Sequence, residues 1–145
     1  MAVRVVIAED EFLIATQTRH ELERQGYEVV AVARTGTEAL DLCILHRPEV
    51  VLMDIRMPDM GGIEATRRIM SICPACVVVV TGNPDLGQEA ERAGAMGYVV
   101  KPFHSEQVRS AIEAARARFA ELMGERRNGE SSADEPFDSA QGGRR

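Results

Sequence analysis

Five short apolar runs, at Val3–Ala8, Val29–Ala33, Val50–Met53, Cys76–Val80 and Tyr98–Val100, limit how this chain can fold more than any other feature. Four of them are rich in β-branched residues and nearly continuous rather than alternating. A strand with one wet face alternates apolar and polar side chains; a strand covered on both faces does not. The runs therefore predict a parallel sheet with helices on both sides.

The segments between the runs supply those helices. Phe12 to Gln25 is expected to form the first, ending at Gly26. Thr35-Gly36-Thr37-Glu38 has the spacing of a capping box, with Ala39, Leu40 and Cys43 following on one face. Residues 62 to about 71 carry the weakest helical pattern. Asn83-Pro84 fits an N-cap followed by proline in the first helical position, and Gly94 fits the stop. Val108, Ala111, Ile112, Ala115, Phe119 and Leu122 form an apolar stripe on a last helix spanning about 105–123. The alternation of strand and helix implies an α/β, doubly wound sheet with right-handed crossovers.

In such sheets ligands gather outside the carboxyl ends of the strands, where the strand order reverses. Glu9, Asp10 and Glu11 follow the first run, Asp54 ends the third, Thr81 the fourth and Lys101 the fifth. Taken singly, each has an ordinary reading as a helix cap, a turn residue or a solvated charge. Taken together, they bring carboxylates, a hydroxyl and an ammonium to one rim. Clustered carboxylates raise one another's pKa unless a cation neutralises them. Oxygen ligands of this kind suit Mg²⁺, and a metal, a lysine and a hydroxyl together suit the equatorial charge of a phosphoryl group moving onto a carboxylate. Glycine-rich nucleotide motifs are lacking in the sequence.

Four motifs in order carry a resemblance: Ile7-Ala8-Glu9-Asp10-Glu11, Val50-Val51-Leu52-Met53-Asp54-Ile55-Arg56-Met57-Pro58-Asp59, Val79-Val80-Thr81-Gly82, and Gly94-Ala95-Met96-Gly97-Tyr98-Val99-Val100-Lys101-Pro102-Phe103. Together the segments resemble the receiver domain of two-component response regulators, over roughly residues 2–123. The resemblance implies a flavodoxin-like (βα)5 sheet of five strands in the order 2-1-3-4-5. It implies that Asp54 is the phosphoacceptor, served by a sensor histidine kinase or a phosphotransfer protein. Mg²⁺ is then expected on Asp10, Asp54 and the Arg56 backbone carbonyl, with Glu9 acting through water. Lys101 is expected to pair with Asp54 or its phosphoryl oxygens, Thr81 to bond the phosphoryl group, Tyr98 to turn inward with it, and Lys101-Pro102 to be cis. The protein would then control a downstream protein through the face of the fourth helix, fifth strand and fifth helix, or relay the phosphoryl group; a phosphorylation-dependent homodimer is a further expectation.

Three departures from the family pattern stand out. The acidic pair is Glu-Asp where Asp-Asp is commoner. Gly61-Gly62 stands where an acid often precedes the glycine. The stretch from Thr81 to Lys101 is short, so the fourth helix is expected to be trimmed or displaced. Two other readings stay open at this stage: a pseudo-receiver that binds partners without phosphorylation, and an aspartyl-phosphate phosphatase. The phosphatase reading sits badly with a nucleophile after the third strand, since those enzymes carry it after the first.

Charge and cysteine usage narrow the field further. A formal net charge of −6 argues against bulk nucleic-acid binding, which needs a basic face. The 145 residues suit one domain with a sizeable core. From Gly124 onward the composition turns polar, with glycine, serine and mixed charge; the expectation is one receiver domain over 1–123 and a disordered tail over 124–145. The apolar N-terminal run meets acids at once and has no basic flank, so neither a signal peptide nor a membrane span is expected, and the expected location is the cytoplasm. Cys73-Pro74-Ala75-Cys76 has redox or zinc spacing, but no second ligand pair accompanies it; Cys76 reads as the first residue of a buried strand.

Overall fold

The computed structural model describes residues 1–134, giving the helical backbone alone for 125–134. Strands β1 (Arg4–Ala8), β2 (Glu28–Ala33), β3 (Val50–Asp54), β4 (Cys76–Thr81) and β5 (Gly97–Val100) alternate with helices α1 (Phe12–Arg24), α2 (Gly36–His46), α3 (Gly62–Ile72), α4 (Pro84–Arg92) and α5 (Ser105–Asp134). All pairings are parallel, in the order β2-β1-β3-β4-β5. Both the fold class and the strand order match the expectation.

Continuous apolar runs become two cores because successive strand residues face opposite sides. Val6, Ala8, Val51, Met53, Val77 and Val79 point to one side, where Ala39 and Cys43 of α2, Ala65 and Ile69 of α3, and Ala90 of α4 cover them. Val5, Ile7, Val50, Leu52, Val78 and Val80 point to the other, against Leu22 of α1 and Val108, Ile112 and Ala115 of α5. Every residue of β3 and β4 is buried. These two central strands are therefore the least yielding part of the molecule.

Helix ends follow the local chemistry. Thr35 caps α2, its side chain accepting the Glu38 N–H at 3.0 Å, while the Glu38 carboxylate accepts the Arg34 N–H at 2.8 Å. Gly26 and Gly94 follow α1 and α4 with φ of +99° and +118°, a backbone region that a side chain would strain. Helix α4 starts at Asn83, whose side chain accepts the Asp85 N–H at 2.9 Å, with Pro84 in the first turn. At nine residues it is shorter than the other four helices. That agrees with the trimmed fourth helix expected from the Thr81–Lys101 spacing.

The fifth helix corrects the sequence reading. It was expected to end near 123, but the helical backbone runs on to Asp134. Gly124 and Gly129 each weaken the helix by only about 1 kcal/mol relative to alanine, and Glu125-Arg126-Arg127 are good helix formers. The first proline after it is Pro136. Residues 135–145 of the expected tail lie outside the described residues.

The cysteines are free and buried. Cys76 opens β4, and burial pushes its thiol, like that of Cys43, up to about 12. A thiol held that far from its thiolate is a poor nucleophile and metal ligand, which favours the core role over redox or zinc chemistry.

Candidate functional site

The order of the strands decides where the polar residues meet. From β1 the chain winds outward to β2, then returns to place β3 on the other flank of β1, so the reversal falls between β1 and β3. Glu9 and Asp10 leave the end of β1, and Asp54 is the last residue of β3. Thr81 ends β4, and Lys101 follows β5. They border a single open cleft of about 470 Å³, lined also by Glu11, Arg56, Asn83 and Leu86.

Within it, oxygens of Glu9, Asp10 and Asp54 lie within 4.8 Å of one another. Glu9 and Asp54 are 6% and 8% exposed, so two of the three carboxylates have little water to share their charge. The nearby cation is Lys101, whose Nζ lies 3.4 Å from Asp54 Oδ2. Asp54 Oδ1 accepts the Arg56 N–H at 3.0 Å, and Glu9 Oε2 accepts the Glu11 N–H at 3.1 Å. Burial pushes the Glu9 carboxyl up to about 7, helped by its hydrogen bond with Asp54; the Glu11 N–H pulls weakly the other way. A carboxyl held this high marks a cluster short of positive charge. Three oxygen donors around a gap of this size, open to water on one side, fit a hard divalent cation such as Mg²⁺.

The Thr81 hydroxyl borders the cleft but is engaged by the Asn83 backbone. Its Oγ1 accepts the Asn83 N–H at 3.0 Å and donates to the Asn83 carbonyl at 3.3 Å. Tyr98 is half-buried and packs on the core beside α4. The Lys101-Pro102 peptide is cis, as the family resemblance implied. Every residue singled out on the rim is thus at the cleft except Tyr98, which packs behind α4.

Two contributors were not legible in the sequence. Gly62 opens α3 so close to the end of β3 that a Cβ there would overlap the Asp54 carbonyl oxygen and the Ile55 Cα. Its N–H donates to the Ile55 carbonyl at 2.9 Å, locking the loop that carries Asp54 and Arg56. The Gly61-Gly62 doublet was visible only as a departure from pattern. Leu86 borders the cleft from the first turn of α4, but as one leucine in a helix it gave no sign of that.

A doubly wound sheet in the order β2-β1-β3-β4-β5, with an acidic cleft at its switch point, an acid ending β3 and a lysine after β5, defines a flavodoxin-like α/β domain with an acidic site at its strand ends. The model of the response regulator receiver domain matches residues 5–113. The chain is 45% identical over 121 residues to the transcriptional regulatory protein PdtaR of Mycobacterium tuberculosis; that alignment covers 82% of this chain and 59% of PdtaR. It is 36% identical over 115 residues to the chemotaxis protein CheY of Thermotoga maritima, covering 77% of this chain and 96% of that one. A two-component response regulator of the LuxR family from Aurantimonas sp. SI85-9A1 superposes with a TM-score of 0.75 at 35% identity, over 81% of this chain and 86% of that one. The chain belongs to the response-regulator receiver family.

Proposed function

We propose that Asp54 accepts a phosphoryl group from the phosphohistidine of a sensor kinase or phosphotransfer protein, and that the protein works as a phosphorylation-controlled switch. One observation carries this reading: Asp54 lies within 4.8 Å of the Glu9 and Asp10 oxygens and 3.4 Å from the Lys101 ammonium, in an open cleft. In the transfer, an Asp54 carboxylate oxygen forms the new bond to phosphorus while the phosphorus–nitrogen bond of the donor breaks, and the imidazole leaves carrying the electron pair. The Asp54 acyl phosphate is the product.

The residues divide the work by charge. Asp10 and Asp54, with the Arg56 carbonyl, would hold Mg²⁺, and Glu9 would act through water; the charge supplied there would offset that of phosphoryl oxygens and relieve the repulsion among the acids. Lys101 follows the charge from the free carboxylate to a phosphoryl oxygen. Thr81 turns from Asn83 to another phosphoryl oxygen, and Tyr98 responds behind it. The changed face of α4, β5 and α5 then meets a downstream protein or a second copy of the chain. Phosphorylation biases a pre-existing equilibrium through these contacts. The chemistry this reading gives the protein is its own phosphotransfer and dephosphorylation. Among the described residues no helix is long and apolar enough to cross a membrane.

The test is incubation with acetyl phosphate and Mg²⁺, followed by intact-mass measurement. Native protein gains one phosphoryl group, and Asp54→Asn gains none. Labelling that persists in Asp54→Asn would overturn the assignment, and absence of labelling in the native protein with a competent donor would favour a binding module that works without phosphorylation.

A further inference from the structure

Gly36 is the first residue of α2 and is buried. Its φ lies outside the left-handed region, so the backbone there does not call for glycine. The surroundings do. A Cβ at this position would overlap the Met60 carbonyl oxygen and fall 2.6 Å from the carbonyl carbon. Two other glycines also face neighbours across the fold, Gly87 the Tyr98 ring and Gly94 the Met70 side chain. Those neighbours are side chains, whereas at Gly36 the neighbour is main chain and cannot rotate aside.

Met60 belongs to the loop that leads from Asp54 into α3. That loop is tied at both ends. The Ile55 N–H donates to the Val80 carbonyl at 3.4 Å, and the Gly62 N–H donates to the Ile55 carbonyl at 2.9 Å. Between the ties, Arg56, Pro58 and Asp59 are exposed. Asp59, just before Met60, has φ of +70°, a left-handed turn that a residue other than glycine adopts at a cost. The start of α2 has little room to give way. Thr35 caps it, and Ala39 and Cys43 sit in the core.

We propose that Gly36 is a positioning residue for the cation site: the bare start of α2 is the stop on which the β3–α3 loop rests, and it fixes where the Arg56 carbonyl stands relative to Asp54. The proposal rests on the reading of Asp54 as phosphoacceptor with Mg²⁺ held by Asp10, Asp54 and that carbonyl. A Cβ at 36 overpacks a contact between two backbones. With α2 capped and both loop ends tied, the displacement falls on residues 56–60. Asp54 stays in place, because its strand is buried along its whole length. Cation affinity therefore drops while the acids keep their positions. The capping box uses only Thr35 and Glu38, so residue 36 is left to serve the loop.

Mg²⁺ titration of the full chain, followed by amide NMR shifts at Asp10 and Arg56, reads the stop. Gly36→Ala should raise the half-saturating Mg²⁺ concentration by roughly tenfold or more. Labelling by acetyl phosphate at saturating Mg²⁺ should return to within about threefold of native. Ile112→Ala cuts into the opposite core and should leave the Mg²⁺ midpoint unchanged. An unchanged midpoint in Gly36→Ala overturns the proposal, and so does an equal shift in Ile112→Ala. Labelling that stays slow at saturating Mg²⁺ overturns it as well, since the loop would then act on the transfer and not on the cation.

Asp59 gives a second route through an exposed residue if Gly36→Ala folds poorly. Asp59→Gly adopts the left-handed turn freely and should keep native Mg²⁺ affinity. Asp59→Val resists that turn and should bind roughly threefold more weakly. Equal affinities in the two variants overturn the stop. A metal-free readout separates the proposal from the phosphoacceptor reading. In chelator, the Arg56 amide, bonded to Asp54 Oδ1 at 3.0 Å, should exchange about fivefold faster in Gly36→Ala than in native protein. Native protein that neither binds Mg²⁺ nor labels would sink the phosphoacceptor, whereas unchanged Arg56 exchange would sink the stop alone.

Discussion

Replacing Glu9 by glutamine should make the metal-free protein more stable at pH 8 and leave it nearly unchanged at pH 4. Glu9 is 6% exposed, hydrogen-bonded with the Asp54 carboxylate, and its carboxyl is pushed up from 4.5 to about 7. The folded state therefore holds this proton more tightly than the unfolded chain does. Its contribution to stability is complete below about pH 4.5 and is lost as pH rises through about 7. With about 1.36 kcal/mol per pH unit, the roughly 2.5 units of difference amount to about 3 kcal/mol at most. Glutamine keeps the shape of the protonated acid and has no charge to lose. Urea melts of both proteins in chelator, from pH 4 to pH 8, give the difference directly, and groups common to both cancel. The gap should open between pH 4.5 and 7, then stay level. Saturating Mg²⁺ should narrow it, because a bound cation stabilises the native state and favours the ionised acid. A gap independent of pH would refute the reasoning, since Glu9 would then carry no excess proton affinity in the fold.

Three further expectations follow from the same geometry. Lys101→Ala removes an ammonium that is more than a third exposed and 3.4 Å from Asp54, so stability should change by no more than about 1 kcal/mol, while the rate of Asp54 labelling falls by roughly 100-fold; a large loss of stability with the rate intact would make the lysine structural. Gly62→Ala forces a Cβ against the Asp54 carbonyl and should cost about 1–3 kcal/mol by overpacking, with slower labelling in the same protein, as read by melting and intact mass. Ile69→Ala empties a fully buried position in α3 and should cost about 2–5 kcal/mol in a urea melt while native-like labelling persists under folding conditions.

Strand positions and acids were legible because both leave strong marks on a linear sequence. A run such as Val77–Val80 can be buried on both faces only in the middle of a covered sheet, and the residues just beyond such runs must share an edge. That is why Glu9, Asp10, Asp54, Thr81 and Lys101 could be brought together without coordinates. The end of α5 was misplaced because glycine and polar composition were read as a stop. Gly124 only weakens the helix, while Pro136 is the first residue that forbids its continuation. Gly62 and Gly87 were illegible for another reason: each acts by the absence of a side chain beside a neighbour distant in sequence, and periodicity records only side chains that are present. The bond from Thr81 to Asn83 is likewise a choice between partners that only coordinates display.

These placements bear on where a phosphoryl group could exert force. Asp54 ends a strand in which every residue is buried and which pairs with β1 on one side and β4 on the other. Displacing β3 would open two ladders and both cores at once, so new charge at its end cannot be accommodated there. On the α3 side, Gly62 is already in close contact with the Asp54 backbone, and Ile69 and Ala65 anchor that helix in the core. On the β1 side, the Glu9 N–H is bonded to the Ala33 carbonyl at 2.9 Å, which ties the acidic turn to β2. The remaining neighbour is α4, reached through Thr81 and Leu86 and anchored mainly by a tyrosine ring against a glycine. Strain generated at a rigid site is released through the least firmly packed element that touches it, and here that element carries the surface a partner would read.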